Sequence, residues 1–396
     1  MFNQNLMRKN KSGSVIFLFL GFKLILLLFI LCCYDFLPFS QWDYENNSDH
    51  FLGQNQEKWE KGLSPYDSPH YLNLAYFGYE NMGYFDEKVR AFFPLYPALI
   101  SIFSFYTGRD YTIAGLLISF FAHLAGTLIF YRLVRLDWDS KTAFESVKFF
   151  LIYPTAFFFL AVYTESLFFL LSVTMFYFLR KRKWWFAFIV AFLGGICRPN
   201  GILLAIPFVI EYLMFFREFG FKDWKIFLKK NYRTLITPIG APLGTFAYFL
   251  FLFFITGNFF AYFEALEWWG RDSISPVNFI HLLSDRFYRF WDLPLHGFHN
   301  SKIDFLFGLI FLLSLIACYS KIRVSYFFYS LAIILLPQLS GQTMSLTRYL
   351  SVSFPHFILL GILSRKKPLI GWLISLISIL FLSIFALQSF NWYWVG

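Results

Sequence analysis

From Val15 to Tyr34 the chain runs through apolar side chains broken only by Lys23. A stretch of about 20 such residues is long enough to cross a bilayer as one helix. Further apolar segments follow near residues 92–106, 112–131, 147–163, 166–179, 185–197, 201–215, 234–256, 303–319, 326–339, 349–363 and 369–388. Hydrophobic residues make up 58% of the chain and charged residues 15%, against about 25% charged in a soluble domain. A soluble fold of 396 residues could not hide so much apolar surface. Disorder, a nucleic-acid-binding domain and a secreted disulfide scaffold are therefore excluded. The chain reads as one all-α polytopic membrane protein over residues 1–396, with about 10–12 membrane segments. Several segments are too short for a straight span. Broken or re-entrant helices are expected there, where protein or a water-filled cavity can cover the backbone.

The net charge of +10 fits cytoplasmic loops held by Lys and Arg; nucleic acid is not an expected partner. Arg8, Lys9 and Lys11 precede the first apolar run, which predicts an uncleaved first helix with a cytoplasmic start. Arg180–Lys183, the stretch Arg217–Arg233, Lys321 with Arg323, and Arg365–Lys367 mark further cytoplasmic ends. The polar stretch 37–91 and the segment 257–302 then become extracytoplasmic loops. Thr164–Glu165, Arg198–Gly201 and Ser340–Arg348 fall on the same outer side. For Arg132 and Arg135 either 92–106 is re-entrant or their loop breaks the charge rule; the re-entrant reading is favoured because Pro94 and Pro97 interrupt its start. Cys32, Cys33, Cys197 and Cys318 lie in apolar stretches without metal-ligand spacing and read as small core residues.

In such a chain the informative residues are the ionisable ones at apolar edges. Lys23 reads as snorkelling or packed within the bundle. Asp67, in Tyr66-Asp67-Ser68-Pro69-His70-Tyr71, precedes a segment of helical period expected to lie on the membrane surface. It reads either as a general base at the water–lipid boundary or as an N-cap beside Pro69. Phe92-Phe93-Pro94-Leu95-Tyr96-Pro97 reads as a fixed turn at a helix start. Glu165, in Tyr163-Thr164-Glu165-Ser166, is either a water-exposed turn residue or part of a polar cleft. Arg198 and Arg348 suit a phosphate or snorkelling to headgroups. The histidines show no metal-binding spacing, and there is no phosphate-binding Gly-rich loop or nucleophile elbow. Asp67, Asp86, Glu87, Glu264, Glu267 and Asp272 show no metal-site spacing either. No cofactor is expected, and a divalent metal is not favoured.

A carboxylate and two arginines on one face suit one chemistry well. A sugar on a lipid phosphate already has an anionic leaving group, whose departure needs positive charge rather than an acid. The acceptor hydroxyl needs one base, and direct attack inverts the anomeric carbon. Here the sequence resembles a known family. Asp67-Ser68-Pro69-His70-Tyr71-Leu72, with Ala75 and Gly78-Tyr79, is similar to the W-D-x-x-x-Y-L-x-I-A-x-x-G-Y stretch of the GPI mannosyltransferase 2 family. Phe92–Pro97, Tyr163–Phe168, Arg198-Pro199-Asn200-Gly201, Trp269-Gly270-Arg271 with Pro276, and Arg348-Tyr349 with Phe354-Pro355 follow in the family's order.

The resemblance implies the GT-C glycosyltransferase fold in a multi-pass protein, in its prokaryotic branch a bacterial or archaeal cell-membrane protein (ER membrane if eukaryotic). It implies mannose transfer from a polyprenyl-phosphate mannose to a lipid-linked or glycan acceptor on the extracytoplasmic face. Asp67 matches the family's acidic residue, the expected base. Glu165, Arg198 and Arg348 match polar positions around donor phosphate and sugars. Tyr66, His70, Tyr71, Asn200, Glu267, Trp269, Arg271 and Tyr349 fall in the same motifs as substrate-binding positions. Tyr66 stands where Trp is usual and Glu267 where Gln is expected, departures that bear on the acceptor. Asn46-Asn47-Ser48 is a glycosylation triplet of the kind common by chance. Competing readings are the same fold with another polyprenyl-phosphate sugar, a lipid-sugar transporter, or a silent partner of another transferase.

Overall fold

A computed structural model describes residues 12–46, 51–79, 86–220, 224–271, 275–297 and 301–395. Arg8, Lys9, Lys11, Asn47, Ser48 and Asp272 lie outside them. All regular structure among the described residues is helical. The helices that build the bundle and its site are α1 Ser12–Cys33, α2 Ser68–Phe77, α3 Leu95–Ser104, α4 Tyr111–Val134, α5 Ser140–Leu151, α6 Glu165–Arg180, α7 Trp184–Gly195, α8 Ala205–Phe219, α9 Gly240–Thr256, α10 Ala261–Trp268, α11 Lys302–Ala317, α12 Val324–Leu339, α13 Leu346–Leu350, α14 Phe354–Lys366 and α15 Pro368–Phe390. Five stretches, 13–36, 111–134, 199–218, 237–256 and 368–390, are long and apolar enough to cross a membrane. α3, α7 and α12 are apolar but shorter.

Local chemistry sets the helix ends. The side chains of Asp110, Asp139 and Ser301 accept from the backbone N–H of Ile113, Thr142 and Asp304, capping α4, α5 and α11. Pro94 precedes α3, and Pro368 starts α15 in the first turn, where its missing N–H costs nothing. α4 packs on α6, α5 on α14, and α7 on both α6 and α9. Lys23 is buried on α1 with its ammonium 5.7 Å from the Phe19 ring centroid.

Three expectations meet their outcome here. α3 has ten residues, about 15 Å of helix, half of a bilayer core. Past its end, Gln54 donates to the Arg109 carbonyl at 2.7 Å, and the Tyr111 N–H donates back to Gln54 at 3.3 Å. The segment therefore ends beside residues 51–57, as the re-entrant reading requires, with α4 as the long helix between that point and Arg132. By contrast, α2 does not lie on a membrane surface. Ser68 to Ala75 are all buried, wedged against α3 and α4; their alternation masks a helix covered on most sides. Nor is 147–163 a single span. α5 ends at Leu151, because Pro154 has no N–H to continue the ladder. Residues 152–164 run as buried irregular chain with a 3-10 turn at Ala156–Phe159. Such backbone is tolerated at depth only inside protein. Here it serves as a scaffold: Val162 N–H donates to the Leu63 carbonyl at 3.1 Å, and Tyr163 Oη to the Pro65 carbonyl at 2.9 Å.

α7 and α9 meet through glycine. Gly240 and Gly244 are four apart on α9 and face α7, where Thr245 Oγ1 donates to the Gly195 carbonyl at 3.2 Å. A Cβ at Gly244 would collide with the Phe192 carbonyl oxygen, and one at Gly195 with that of Ala241. This is the small-residue contact by which membrane helices approach closely. Gly244→Ala is expected to cost about 1–3 kcal/mol, the scale of overpacking. A lowered thermal midpoint of the detergent-solubilised protein checks this; an unchanged midpoint contradicts it.

Candidate active site

α6 runs from Glu165 to the basic cluster at Arg180, and α14, which starts beside Phe176 well along α6, ends in the basic cluster at Lys366. At the start of α6 four remote charges converge. Arg348 Nη1 donates to Asp67 Oδ2 at 2.7 Å. Arg348 Nε lies 3.4 Å from Glu165 Oε1, and Arg198 Nη1 donates to that same oxygen at 3.1 Å. Side-chain exposure is 1% for Glu165, 7% for each arginine and 20% for Asp67. Only Asp67 of the four opens appreciably.

Each partner is placed by its local chain. Asp67 occupies the N-cap position of α2, yet its carboxylate caps nothing; it is spent on Arg348. Its backbone N–H donates to Tyr163 Oη at 3.2 Å. Tyr66 just before it has a positive φ of 49°, which is costly for a residue with a Cβ. Glu165 is the first residue of α6 and is buried, so the water-exposed reading does not hold. Arg198 follows α7 and precedes the 3-10 turn at Pro199–Leu204. Arg348 lies on the short α13. The chain before α13 makes a left-handed turn at Ser345, φ 59°.

Asp304, on the first turn of α11, pins that turn. Its Oδ1 accepts from both the N–H and the hydroxyl of Thr347 at 2.7 Å, and its Oδ2 accepts from Ser301 at 2.8 Å. Tyr153 and Thr155, in the irregular segment, donate to the Thr347 carbonyl at 3.0 and 3.2 Å. Thr347 is thereby fixed on both sides, and Arg348 is aimed.

A cavity opens in front of this network. Asp67, Tyr71, Arg198 and Asn200 line it, as do Trp269, Arg271, Arg348 and Tyr349. Asn200 Nδ2 is buried there without a hydrogen-bond partner among the described residues. Tyr349 is the aromatic hub. The guanidinium carbons of Arg198, Arg271 and Arg348 lie 5.3, 5.8 and 5.2 Å from its ring centroid. Burial pushes its phenol up, but the guanidinium groups of Arg271, Arg348 and Arg198 outweigh that and hold it below the usual phenol range. Arg271 Nη2 donates to its hydroxyl at 3.2 Å.

The other sequence-predicted positions lie outside the cavity wall. Tyr66 sits one layer back, its hydroxyl donating to the Trp392 carbonyl at 2.6 Å. His70 is stacked on Phe92, centroids 4.6 Å apart, and meets Trp269 edge-on at 5.3 Å. Glu165 stands behind the arginines. Glu267 is away from the cavity. On α10 the buried face carries Ala261, Tyr262 and Ala265, and the helical turn of about 100° per residue leaves Glu267 exposed near Glu87, Arg90 and Glu264. Among the described residues no group of three or more His, Cys, Asp or Glu gathers as a metal site.

Sequence reasoning missed Asp304, Tyr262 and Trp394, the latter two of which line the cavity. Asp304 had a local signal: an acid three residues after Ser301 at the head of an apolar helix. Trp394 had none beyond its type.

The bundle and its one-ended polar chamber define an integral, multi-pass membrane protein. The family model described as Mannosyltransferase (PIG-V) matches residues 14–267. The chain belongs to that family and is a membrane mannosyltransferase, working on a sugar donor and an acceptor in a lipid context. No curated protein and no solved structure matches it. The matched stretch contains Asp67, Glu165 and Arg198; Arg271, Arg348 and Tyr349 lie beyond it.

Removing one partner of a buried ion pair leaves its mate uncompensated, at a cost of about 3–5 kcal/mol. Arg348→Met strands Asp67 and takes from Glu165 one of its two cations, leaving it Arg198, so it is expected to destabilise the fold by that order. Arg271→Ala strands no carboxylate among the described residues and is expected to leave stability nearly unchanged. Thermal unfolding of both variants in detergent checks the contrast.

Proposed function

We propose that the protein transfers mannose from a polyprenyl-phosphate mannose to a hydroxyl of a lipid-linked or glycan acceptor, with inversion, on the extracytoplasmic face. The observation that carries this is Asp67. Of the two carboxylates in the charge network it is the one that lines the cavity, and one of its oxygens accepts from Arg348.

In this reading Asp67 takes the proton of the acceptor hydroxyl as that oxygen attacks C1 of the mannose. The bond from C1 to the phosphate oxygen breaks, and its electron pair leaves with the polyprenyl phosphate, whose charge goes from −1 to −2. Arg348 orients the base and Glu165 orients both arginines. Arg348 and Arg198 are already ion-paired, so the growing phosphate charge falls to Arg271, with Tyr349 beside it. A fixed cation in a partly dry site stabilises that charge without reorganising. Tyr71, Asn200 and Trp269 form the remaining walls, with Tyr66 and His70 behind them. The face follows from the basic clusters at the opposite end, which the positive-inside rule assigns to the cytoplasm. No metal is invoked: an arginine supplies the charge and a carboxylate the base.

The test is transfer by the purified full chain from polyprenyl-phosphate mannose to a membrane lipid extract, with product stereochemistry read by NMR. Asp67→Asn keeps an oxygen that can accept from Arg348, which also retains Glu165, so it is expected to lower the thermal midpoint by less than Arg348→Met does and to lower turnover by about 10²–10⁴-fold, the scale of a lost general base. Turnover above a tenth of wild type overturns the role of Asp67. Arg271→Ala removes a charge-assisted hydrogen bond of about 1.5–3 kcal/mol, so kcat/KM for the donor is expected to fall by roughly ten- to a hundredfold. Unchanged donor kinetics would reassign the phosphate to Arg198 or Arg348.

A further inference from the structure

At the end of the bundle where α6 finishes, the basic residues are not all used alike. Arg180 is ion-paired with Asp137 and Arg182 with Glu218, and Arg323 Nε lies 2.9 Å from Glu211 Oε1. Each of these guanidinium groups is neutralised by a carboxylate from another part of the chain, so each works as a clasp within the fold. A second set has no such role. Lys225, Lys229 and Arg233 are exposed and form no ion pair among the described residues; Arg233 Nε donates to the neighbouring Tyr232 Oη at 2.8 Å. The unbalanced positive charge of this end is therefore concentrated on one short stretch of chain.

That stretch is a helix, Trp224–Asn231, and the fold holds it in place. Short connections tie it to the long apolar stretches 199–218 and 237–256 on either side. Its buried side chain, Phe227, packs on α8, with ring centroids 4.8 Å from Phe216 and 5.4 Å from Phe215. Asn231 Nδ2 donates to the Phe227 carbonyl at 3.0 Å, and Tyr212 Oη and Thr234 Oγ1 share a hydrogen bond of 2.8 Å. The rest of its surface mixes cations with apolar groups. Lys225 and Lys229 stand one turn apart, about 6 Å along the axis. Trp224 is 48% exposed, Ile226 50% and the following Tyr232 59%. Like charges at that spacing disfavour a helix, and an anion seated between them removes that cost.

The surface that matches is the face of a bilayer. Lysines among half-exposed aromatic and aliphatic side chains make a helix that lies in the interface, and Trp and Tyr settle at headgroup level. The connections to two spanning stretches keep this helix at that depth, where lipid reaches it before any soluble partner. Its surplus cations select an anionic headgroup over a zwitterionic one. We infer that the helix Trp224–Asn231, together with Arg233, is a docking surface for anionic phospholipid, with one headgroup phosphate between Lys225 and Lys229. The leaflet is the one at the end that carries the basic clusters, which the positive-inside rule assigns to the cytoplasm. The inference holds whatever sugar and acceptor the site at the other end uses.

The experiment titrates the full chain in detergent with dioleoyl phosphatidylglycerol or, as the zwitterionic probe, dioleoyl phosphatidylcholine, and reads bound lipid by native mass spectrometry. The wild type is expected to retain phosphatidylglycerol in preference. Lys225→Gln and Lys229→Gln are each expected to weaken its binding about fivefold, the scale of one basic residue at an anionic surface. Phosphatidylcholine binding and the thermal midpoint are expected to stay unchanged, since both positions are exposed. Arg289→Gln, at the opposite end of the bundle, is expected to change neither lipid's binding. In nanodiscs, amide hydrogen exchange over residues 224–236 is expected to slow when phosphatidylglycerol replaces part of the phosphatidylcholine. Equal retention of the two lipids by the wild type overturns the site, as does a double variant, Lys225→Gln with Lys229→Gln, that keeps the full preference. Exchange over 224–236 that ignores the headgroup also overturns it, and is the result expected if a soluble acidic partner covers this face instead.

Discussion

Arg348, held between Asp67 and Glu165, is the interaction on which the rest of the structure depends. A guanidinium in a protein interior is tolerable only when paired and hydrogen-bonded. Meeting that demand joins the polar segment before α2, the start of α6 and the short α13 at one point. Arg198 brings in the end of α7 through the same Glu165 oxygen. Four stretches separated by as many as 281 residues are thereby placed relative to one another. Apolar packing alone would leave them free to slide, because lipid tails compete with side chains on equal terms.

The same demand accounts for the irregular chain around the site. Residues 152–164 forgo helix at depth, and their freed groups hold others: Tyr163 binds the backbone on both sides of Tyr66, and Tyr153 and Thr155 hold Thr347. Asp304 completes the grip on Thr347 from the opposite side. Left-handed backbone at Tyr66, Ser345 and Trp392 falls within a few residues of the network or the cavity, whereas Arg109 and Arg182 adopt it in exposed turns. Near the site such strain persists because the surroundings can sustain it.

Much of this was legible in the chain because the membrane enforces simple rules. Apolar run length announces spans, and a charge beside such a run announces a site. Asp67, Glu165, Arg198 and Arg348 were found that way, and the structure does bring them together. The turning back of α3 followed from charge parity and two prolines. Other features were not legible, because burial depends on what packs against a segment. The period of α2 suited a surface helix as well as a wedged one. The apolar stretch 147–163 hides a scaffold, because its length suits a span while Pro154 ends the helix inside it. Glu267 shares a motif with Trp269 but points elsewhere, which only the phase of α10 decides. Asp304 and Trp394 act through partners far away in the chain, so no local pattern could rank them.

The charges of the site also add up in an informative way. Asp67 and Glu165 balance Arg348 and Arg198, so the network is neutral and internally satisfied. It can stay assembled with the cavity empty, which a cluster of bare arginines could not. Arg271 stands outside that balance, its guanidinium donating to the Tyr349 hydroxyl. Of the three arginines that line the cavity, Arg271 is the one outside an ion pair among the described residues, so an anion entering beside it need not dismantle an ion pair to bind. In the proposed reading the work is divided: the neutral network fixes the direction of the base, and the surplus charge receives the phosphate. On that reading, a transferase that drew its phosphate ligand from the network would disorder its own base on binding the donor, whereas separate residues let the donor bind while Asp67 stays aimed at the acceptor.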